Sequence, residues 1–275
     1  MKNRFGINVI FMKIKHSYLI IILALLFASC QSYVNYSDVV AQNDDVHRIY
    51  LYGETHGIQL IMQKEIELWE DYYTNQNFRH LFMEIGYCDA QLLNLWMESG
   101  DEDFLNVILE NIASTVNNGE ERAKLNKWFY NEIKSRCPET IFHGTDIQHQ
   151  WKTAEWYQKY LENLNQQDSQ EYKMAAKSIE ACGQYYYDIG KTDDKFREEY
   201  MIERFKQEFD ELSSLTKIMG IYGAQHTRFD GKSLNSDISN MATQLREYYY
   251  NREGNIIYTE DISKLKKYQR SKKES

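Results

Sequence analysis

The sequence has little of what usually announces a function. Its four cysteines include Cys30 near the N-terminus, which leaves Cys88, Cys137 and Cys182, an odd number without regular spacing and therefore no disulfide framework. No Cys-x-x-Cys and no His-Glu-x-x-His occurs, so structural zinc and a zincin are unsupported. A Gly-x-Ser-x-Gly elbow and a Walker loop are also missing, which disfavours the usual serine hydrolases and P-loop enzymes. There is no basic block before the final lysine-rich tail, and the formal net charge is -9, so nucleic acid is not an expected partner. Only one long apolar run exists, at 18–28, about half the ~20 residues needed to span a bilayer as a helix. No internal repeat appears, and the single proline, Pro138, serves as punctuation ahead of a short apolar run.

That one apolar run sits where an export signal would. Lys2, Arg4, Lys13 and Lys15 precede it and Ser29-Cys30 follows, giving a positive region, an apolar region and a small-residue cleavage site. The segment Leu26-Phe27-Ala28-Ser29-Cys30 resembles a bacterial lipobox, with Phe27 where leucine is usual. The expectation is a signal peptide over 1–29, beginning at Met1 or Met12, and a lipid-modified Cys30 holding the protein on a membrane. An ordinary signal peptide with an incidental Cys30 is the plainer alternative. Gln31 after the cysteine resembles lipoproteins sent to an outer membrane.

Residues 30–46 read as a polar tether, 47–262 as a single domain and 263–275 as a basic tail. Apolar runs at 48–52, 78–83, 140–143, 217–222 and 255–258 alternate with helix-period segments at 65–73, 89–97, 103–112 and 120–134. The stretch 150–215 contains no convincing strand and reads as three amphipathic helices, one at 196–209. Strands separated by helices imply crossover connections. The expected fold class is α/β: a mainly parallel open sheet flanked by helices, with a helical insertion between the third and fourth strands.

The chemistry concentrates after the apolar runs. Gly53-Glu54-Thr55-His56-Gly57 follows the first, Glu84-Ile85-Gly86 the second, Gly144-Thr145-Asp146 the third and Gly223-Ala224-Gln225-His226 the fourth. In a parallel sheet these ends share one edge, where ligand sites of open α/β sheets form, so Glu54, His56, Glu84, Asp146 and His226 should converge. Any one of them alone is better read as a loop or cap residue. Four strand ends of the same character are harder to dismiss, because carboxylates and imidazoles brought together must pair or hold a ligand. His143 and His149 are expected in the core or on the surface, His149 on the helix after the third strand. The tyrosine runs at 185–187 and 248–250 are expected mainly to pack, with pocket lining as the alternative.

These motifs, together with residues 197–201 from Arg197 to Met201, resemble the superfamily that joins erythromycin esterases, the Tiki proteases and ChaN-like haem-binding lipoproteins. The resemblance implies that His56 corresponds to a water-activating general base, that Glu54, Glu84 and His226 orient it or stabilise developing charge, and that Arg197 faces the same crevice. Only Thr55 stands between Glu54 and His56, where the esterase motif has two residues, and this is closer to the ChaN-like pattern. A divalent metal, zinc, manganese or iron, on His56, Glu54, Glu84 and His226 is the other use of the same set, and the spacing leaves both open.

Two functions emerge as expectations. One is a membrane-anchored hydrolase that attacks an ester or amide in a small-molecule or peptide substrate. The other is a lipoprotein that binds haem or an iron compound for uptake without catalysis. Several carboxylates beside the ligand suit a hydrolytic or metal site better than a haem pocket. A surface interaction protein with an inactive enzyme-like edge is the bland third reading.

Overall fold

The computed structural model describes residues 46–115, 118–188, 194–234 and 236–265. The proposed signal, Cys30 and the end of the basic tail lie outside them. The chain divides into two units at Val46/His47, and every described strand and helix belongs to the second.

Five strands, β1 (Ile49–Glu54), β2 (His80–Gly86), β3 (Ile141–Asp146), β4 (Ile218–Gly223) and β5 (Ile257–Asp261), form one parallel sheet in the order β3-β2-β4-β1-β5. Nine helices among the described residues flank it: α1 (Gln59–Gln76), α2 (Tyr87–Ser99), α3 (Glu102–Thr115), α4 (Gly119–Arg136), α5 (Trp151–Asn163), α6 (Gln170–Gly183), α7 (Asp194–Asp210), the one-turn α8 (Ala224–Thr227) and α9 (Met241–Glu253). The α/β class is thus observed, and the insertion between β3 and β4 consists of α5, α6, a π-helical turn at Gln184–Asp188, and α7.

β1 and β4 are buried along nearly their whole length, as expected of central strands covered on both faces. Alternate residues serve opposite cores. Tyr50 and Tyr52 join Ile66, Trp69, Phe78 and Trp96 on one face. Ile49 and Leu51 join Phe205, Phe209, Leu245 and Tyr249 on the other. Trp69 Nε1 donates to Thr140 Oγ1 at 2.9 Å inside the first core, so its polar atom is satisfied.

Every strand runs further toward its C-terminus than its apolar run. The pattern of side chains stops at the first glycine or polar residue, whereas ladder pairing continues through backbone groups: Gly53 pairs with Tyr222, and Glu54 with Gly223. Gly53, Gly144 and Gly223 therefore lie inside the strands, not beyond them. At Gly144 the reason is close backbone approach, since a Cβ there would stand 2.2 Å from the carbonyl oxygen of Gly86.

Candidate functional site

The sheet order puts β4 between β1 and β2, so the residues after β4 arrive between those of the first two strands. Glu54 closes β1, and His56 comes next in the turn before α1. His56 Nδ1 lies 2.7 Å from Glu54 Oε1, and its Nε2 lies 3.5 Å from Glu84 Oε1. Burial of the ring opposes a charge, but hydrogen bonding to Glu54 and then Glu84 overrides it and raises the His56 pKa to about 11. The ring is an imidazolium at neutral pH. Half of the side chain is exposed, the most of any member of the cluster.

Glu84 owes its position to an irregularity in β2. Met83 pairs with Gly144 but Gly86 pairs with Asp146, so Glu84 and Ile85 oppose Thr145 alone. An extra residue of this kind re-aims a side chain at a strand end. The Glu84 carboxylate accepts from Gly223 N at 2.6 Å and from Arg197 Nη2 at 2.5 Å. His226 Nε2 lies 3.6 Å from Glu84 Oε1, the oxygen that Arg197 holds. Burial works against ionisation, yet the cationic neighbours, His56 foremost, hold Glu84 down to about 2.

Arg197, on α7, joins the ends of β2 and β3. Besides Glu84 it binds Asp146 through Nε at 3.0 Å and Nη2 at 2.6 Å, a two-point grip on a fully buried carboxylate. Burial opposes the charge of Asp146, but Arg197 and then His149 keep its carboxyl well below the usual range. His226, on α8, pairs through Nδ1 with Glu198 Oε2 at 2.8 Å. Glu198 in turn accepts from Ser233 Oγ at 3.1 Å and from the backbone of Met241. Against the effect of burial, the bond to Glu198 raises the His226 pKa.

The six residues expected from the sequence, Glu54, His56, Glu84, Asp146, Arg197 and His226, thus form one continuous chain of contacts. The sequence reading misplaced His149: it lies in the loop before α5, not on the helix, and its Nε2 meets Asp146 Oδ2 at 3.0 Å while Nδ1 faces the Tyr186 hydroxyl. Tyr186 is held by the π-helical turn and lines the crevice, so pocket lining, the alternative for that tyrosine run, is what this residue does. Glu198 went unseen because a charged residue on an amphipathic helix reads as solvent-facing, and only the α9 backbone end it binds reveals it as buried.

Beside the cluster lies an open cleft of about 650 Å³, lined by His56, Asp146, His149, Trp151, Tyr187 and Arg197 among others. Gly223 faces the middle of the cluster: a Cβ there would stand 3.3 Å from both Glu84 Oε2 and His56 Nε2. No group of three or more His, Cys, Asp and Glu side chains among the described residues is arranged to hold a metal ion. The partners explain why. Glu84 Oε1, the oxygen nearest both histidine Nε2 atoms, is already bonded to Arg197 Nη2, which also neutralises Asp146. A divalent ion on the two Nε2 atoms and Glu84 would have to displace the guanidinium.

Fold and site together define an α/β protein with an imidazole–carboxylate–guanidinium cluster at the carboxyl edge of a parallel sheet. No protein-family model and no curated protein matches the chain. Among solved structures it is similar to a Bacillus cereus protein at 15% identity, covering 83% of this chain and 69% of that one with a TM-score of 0.50, a likeness of fold. A mutant of the erythromycin esterase EreC in its open conformation matches at 13% identity, 82% and 73% coverage and a TM-score of 0.47. ChaN of Campylobacter jejuni, a structure with cofacially bound haem, matches at 12% identity, 85% and 88% coverage and a TM-score of 0.38.

Proposed function

We propose that this chain is a hydrolase of esters or amides in which His56 activates water. The observation that supports this best is the geometry of His56: Glu54 occupies Nδ1 and leaves Nε2 turned to the crevice beside Glu84 and Gly223. A carboxylate on one ring nitrogen fixes the tautomer and orientation of the other, which is what a water-activating histidine needs. Once the resting proton on His56 has left, Nε2 takes a proton from water as the oxygen attacks the carbonyl carbon. The same proton then passes to the leaving oxygen or nitrogen as its bond to carbon breaks. His226, whose bond to Glu198 favours the protonated ring against the effect of burial, and Arg197 both flank Glu84 and would stabilise the negative charge that develops on the carbonyl oxygen. Such positioned acid-base chemistry contributes typically ~10²–10⁴ in rate. The reading extends to location: export and a lipid on Cys30 would present the site at the surface of a bacterial membrane, and loss of radiolabelled palmitate in Cys30→Ala would be the sign of it.

A second reading, haem or iron binding, draws on the cleft itself, where Tyr187 is 80% exposed and could serve as an axial ligand. One pair of experiments separates the two. Full-length protein in detergent is screened against chromogenic short-chain esters and peptide amides, and titrated with haem. The hydrolase reading expects turnover that His56→Ala abolishes while its circular dichroism spectrum at the assay temperature shows the variant still folded. A His56→Ala enzyme with full activity removes His56 from the mechanism, and a Soret shift without any turnover moves the assignment to haem handling.

A further inference from the structure

Adjoining the cluster is a second, more enclosed cavity of about 180 Å³, walled by β1, β2, β4, α1, α3 and α4. One part of its lining is apolar, including Met62, Ile108, Ile112, Phe129 and Ile221. Besides Glu54 and Glu84 of the cluster, two further carboxyls line the cavity, Glu65 from α1 and Asp89 from the first turn of α2. They are 2% and 4% exposed; no donor reaches Asp89 Oδ1, and the one side chain that meets the Glu65 carboxyl is another acid, Glu54. Buried acceptors left unmet are expensive, and aliphatic side chains would fill the same space without that cost. The hydrolytic chemistry uses neither residue.

We propose that this cavity is a binding subsite for a primary ammonium carried on a short apolar stem. An ammonium offers three donors and no acceptor, enough for both Glu65 and Asp89, whereas a neutral hydroxyl has a single donor. The stem suits the remaining walls: a cavity of ~150 Å³ lined by aliphatic and aromatic side chains holds a molecule of benzene. Both acids are poised to respond to a cation. Burial, with the neighbouring Glu54 carboxylate, pushes Glu65 well above its ordinary value. Burial likewise raises Asp89 to about 7, against hydrogen bonding from Gln148 and Thr153 and the pull of His149. A bound ammonium favours their ionised forms, so binding at neutral pH releases protons. The other charged groups at the cavity are Glu54, His56, Glu84, His149 and Arg122, the last exposed. Because Glu54, His56 and Glu84 also line it, a ligand seated by its amine would place its next carbons beside the water-activating ring. As a statement about substrate, this rests on the hydrolase reading; as a statement about binding, it does not.

The test is calorimetric titration of the full chain in detergent with n-butylammonium and with n-pentanol, a neutral molecule of similar size, at pH 7 in two buffers of different protonation enthalpy. Butylammonium should bind at least about tenfold tighter than pentanol. Its heat should differ between buffers in the sense of proton release. Asp89→Asn should erase most of that preference; if this variant fails to fold, Glu65→Gln, which keeps the size and shape of the side chain, makes the same measurement. Equal affinity for the two probes, or no heat from butylammonium at millimolar concentration, overturns the subsite. Amine binding without turnover of any ester or amide would keep the subsite and sink the hydrolase, whereas turnover indifferent to an amine would do the reverse.

Discussion

Glu54 and Glu84 hold a proton on His56, and this sets how its activity must depend on pH. With the pKa raised to about 11, the base form is scarce at neutrality, and kcat/KM should climb as pH rises through the neutral and mildly alkaline range. Glu54→Gln separates the charge of that carboxylate from its hydrogen bond, because the amide oxygen can still accept from Nδ1. The charge is what favours the imidazolium, so its loss lowers the His56 pKa and moves the limb acidward by about one pH unit or more, with Glu84 still opposing. A pH–rate profile of both proteins reads this directly. A limb that stays in place would assign the titration to some group other than His56, and activity that falls toward alkaline pH in the wild type would make the histidine the acid instead. Residues of this kind were legible in the sequence because they come directly after the apolar runs, at the strand ends. Glu65 and Asp89 were not: their distinction is burial among side chains from α3 and α4, which no local pattern encodes.

Strand β2 and helix α7 show what an element contributes beyond its residues. The apolar runs located all five strands, and the three helices of the insertion were legible in their periodicity. The order β3-β2-β4-β1-β5 was not, since it depends on which strands pair, nor was the extra residue that re-aims Glu84. Helix α7 buries Met201, Ile202, Phe205 and Phe209 against the sheet and so delivers Arg197 between two carboxylates that are almost wholly buried. Removing the cation while leaving both anions is the costly way to break such a set. Arg197→Met should lower the unfolding free energy by about 3–5 kcal/mol in urea titrations at neutral pH. The deficit should shrink as the pH falls and the stranded carboxylates protonate. A loss below about 1 kcal/mol, typical of exposed pairs, would mean that water reaches Glu84 and Asp146 and that the two-point grip is loose.

Summed over the molecule, the shifted groups predict where on the pH scale the fold is most stable, because each one binds protons differently in the folded and unfolded chains. His56, raised to about 11, and His226, also raised, bind protons more tightly when folded, so the stability they add below their ordinary value of 6.5 is lost as pH rises through the alkaline range. Asp89, raised to about 7, and Glu65, raised well above its ordinary value, act in the same direction: their burial costs least where they are neutral, and the penalty grows as pH rises above the ordinary carboxylate range. Against these, Glu84, lowered to about 2, and Asp146, lowered as well, contribute stability that is complete above their ordinary values and lost as pH falls below 4.5. His80, lowered to about 4 chiefly by burial and then by His143, prefers to stay neutral and so weakens the fold as pH drops from 6.5. Of these seven groups four lose on the alkaline side and three on the acid side, and between pH 4.5 and 6.5 Asp89 and Glu65 together outweigh His80, so the maximum falls at about pH 4–5, well on the acid side of neutrality. Thermal melts across a pH series would show it. A maximum at pH 8 or above would mean that the imidazolium pairs around Glu84 do not form in solution, and the resting charge state assigned to His56 would fall with them.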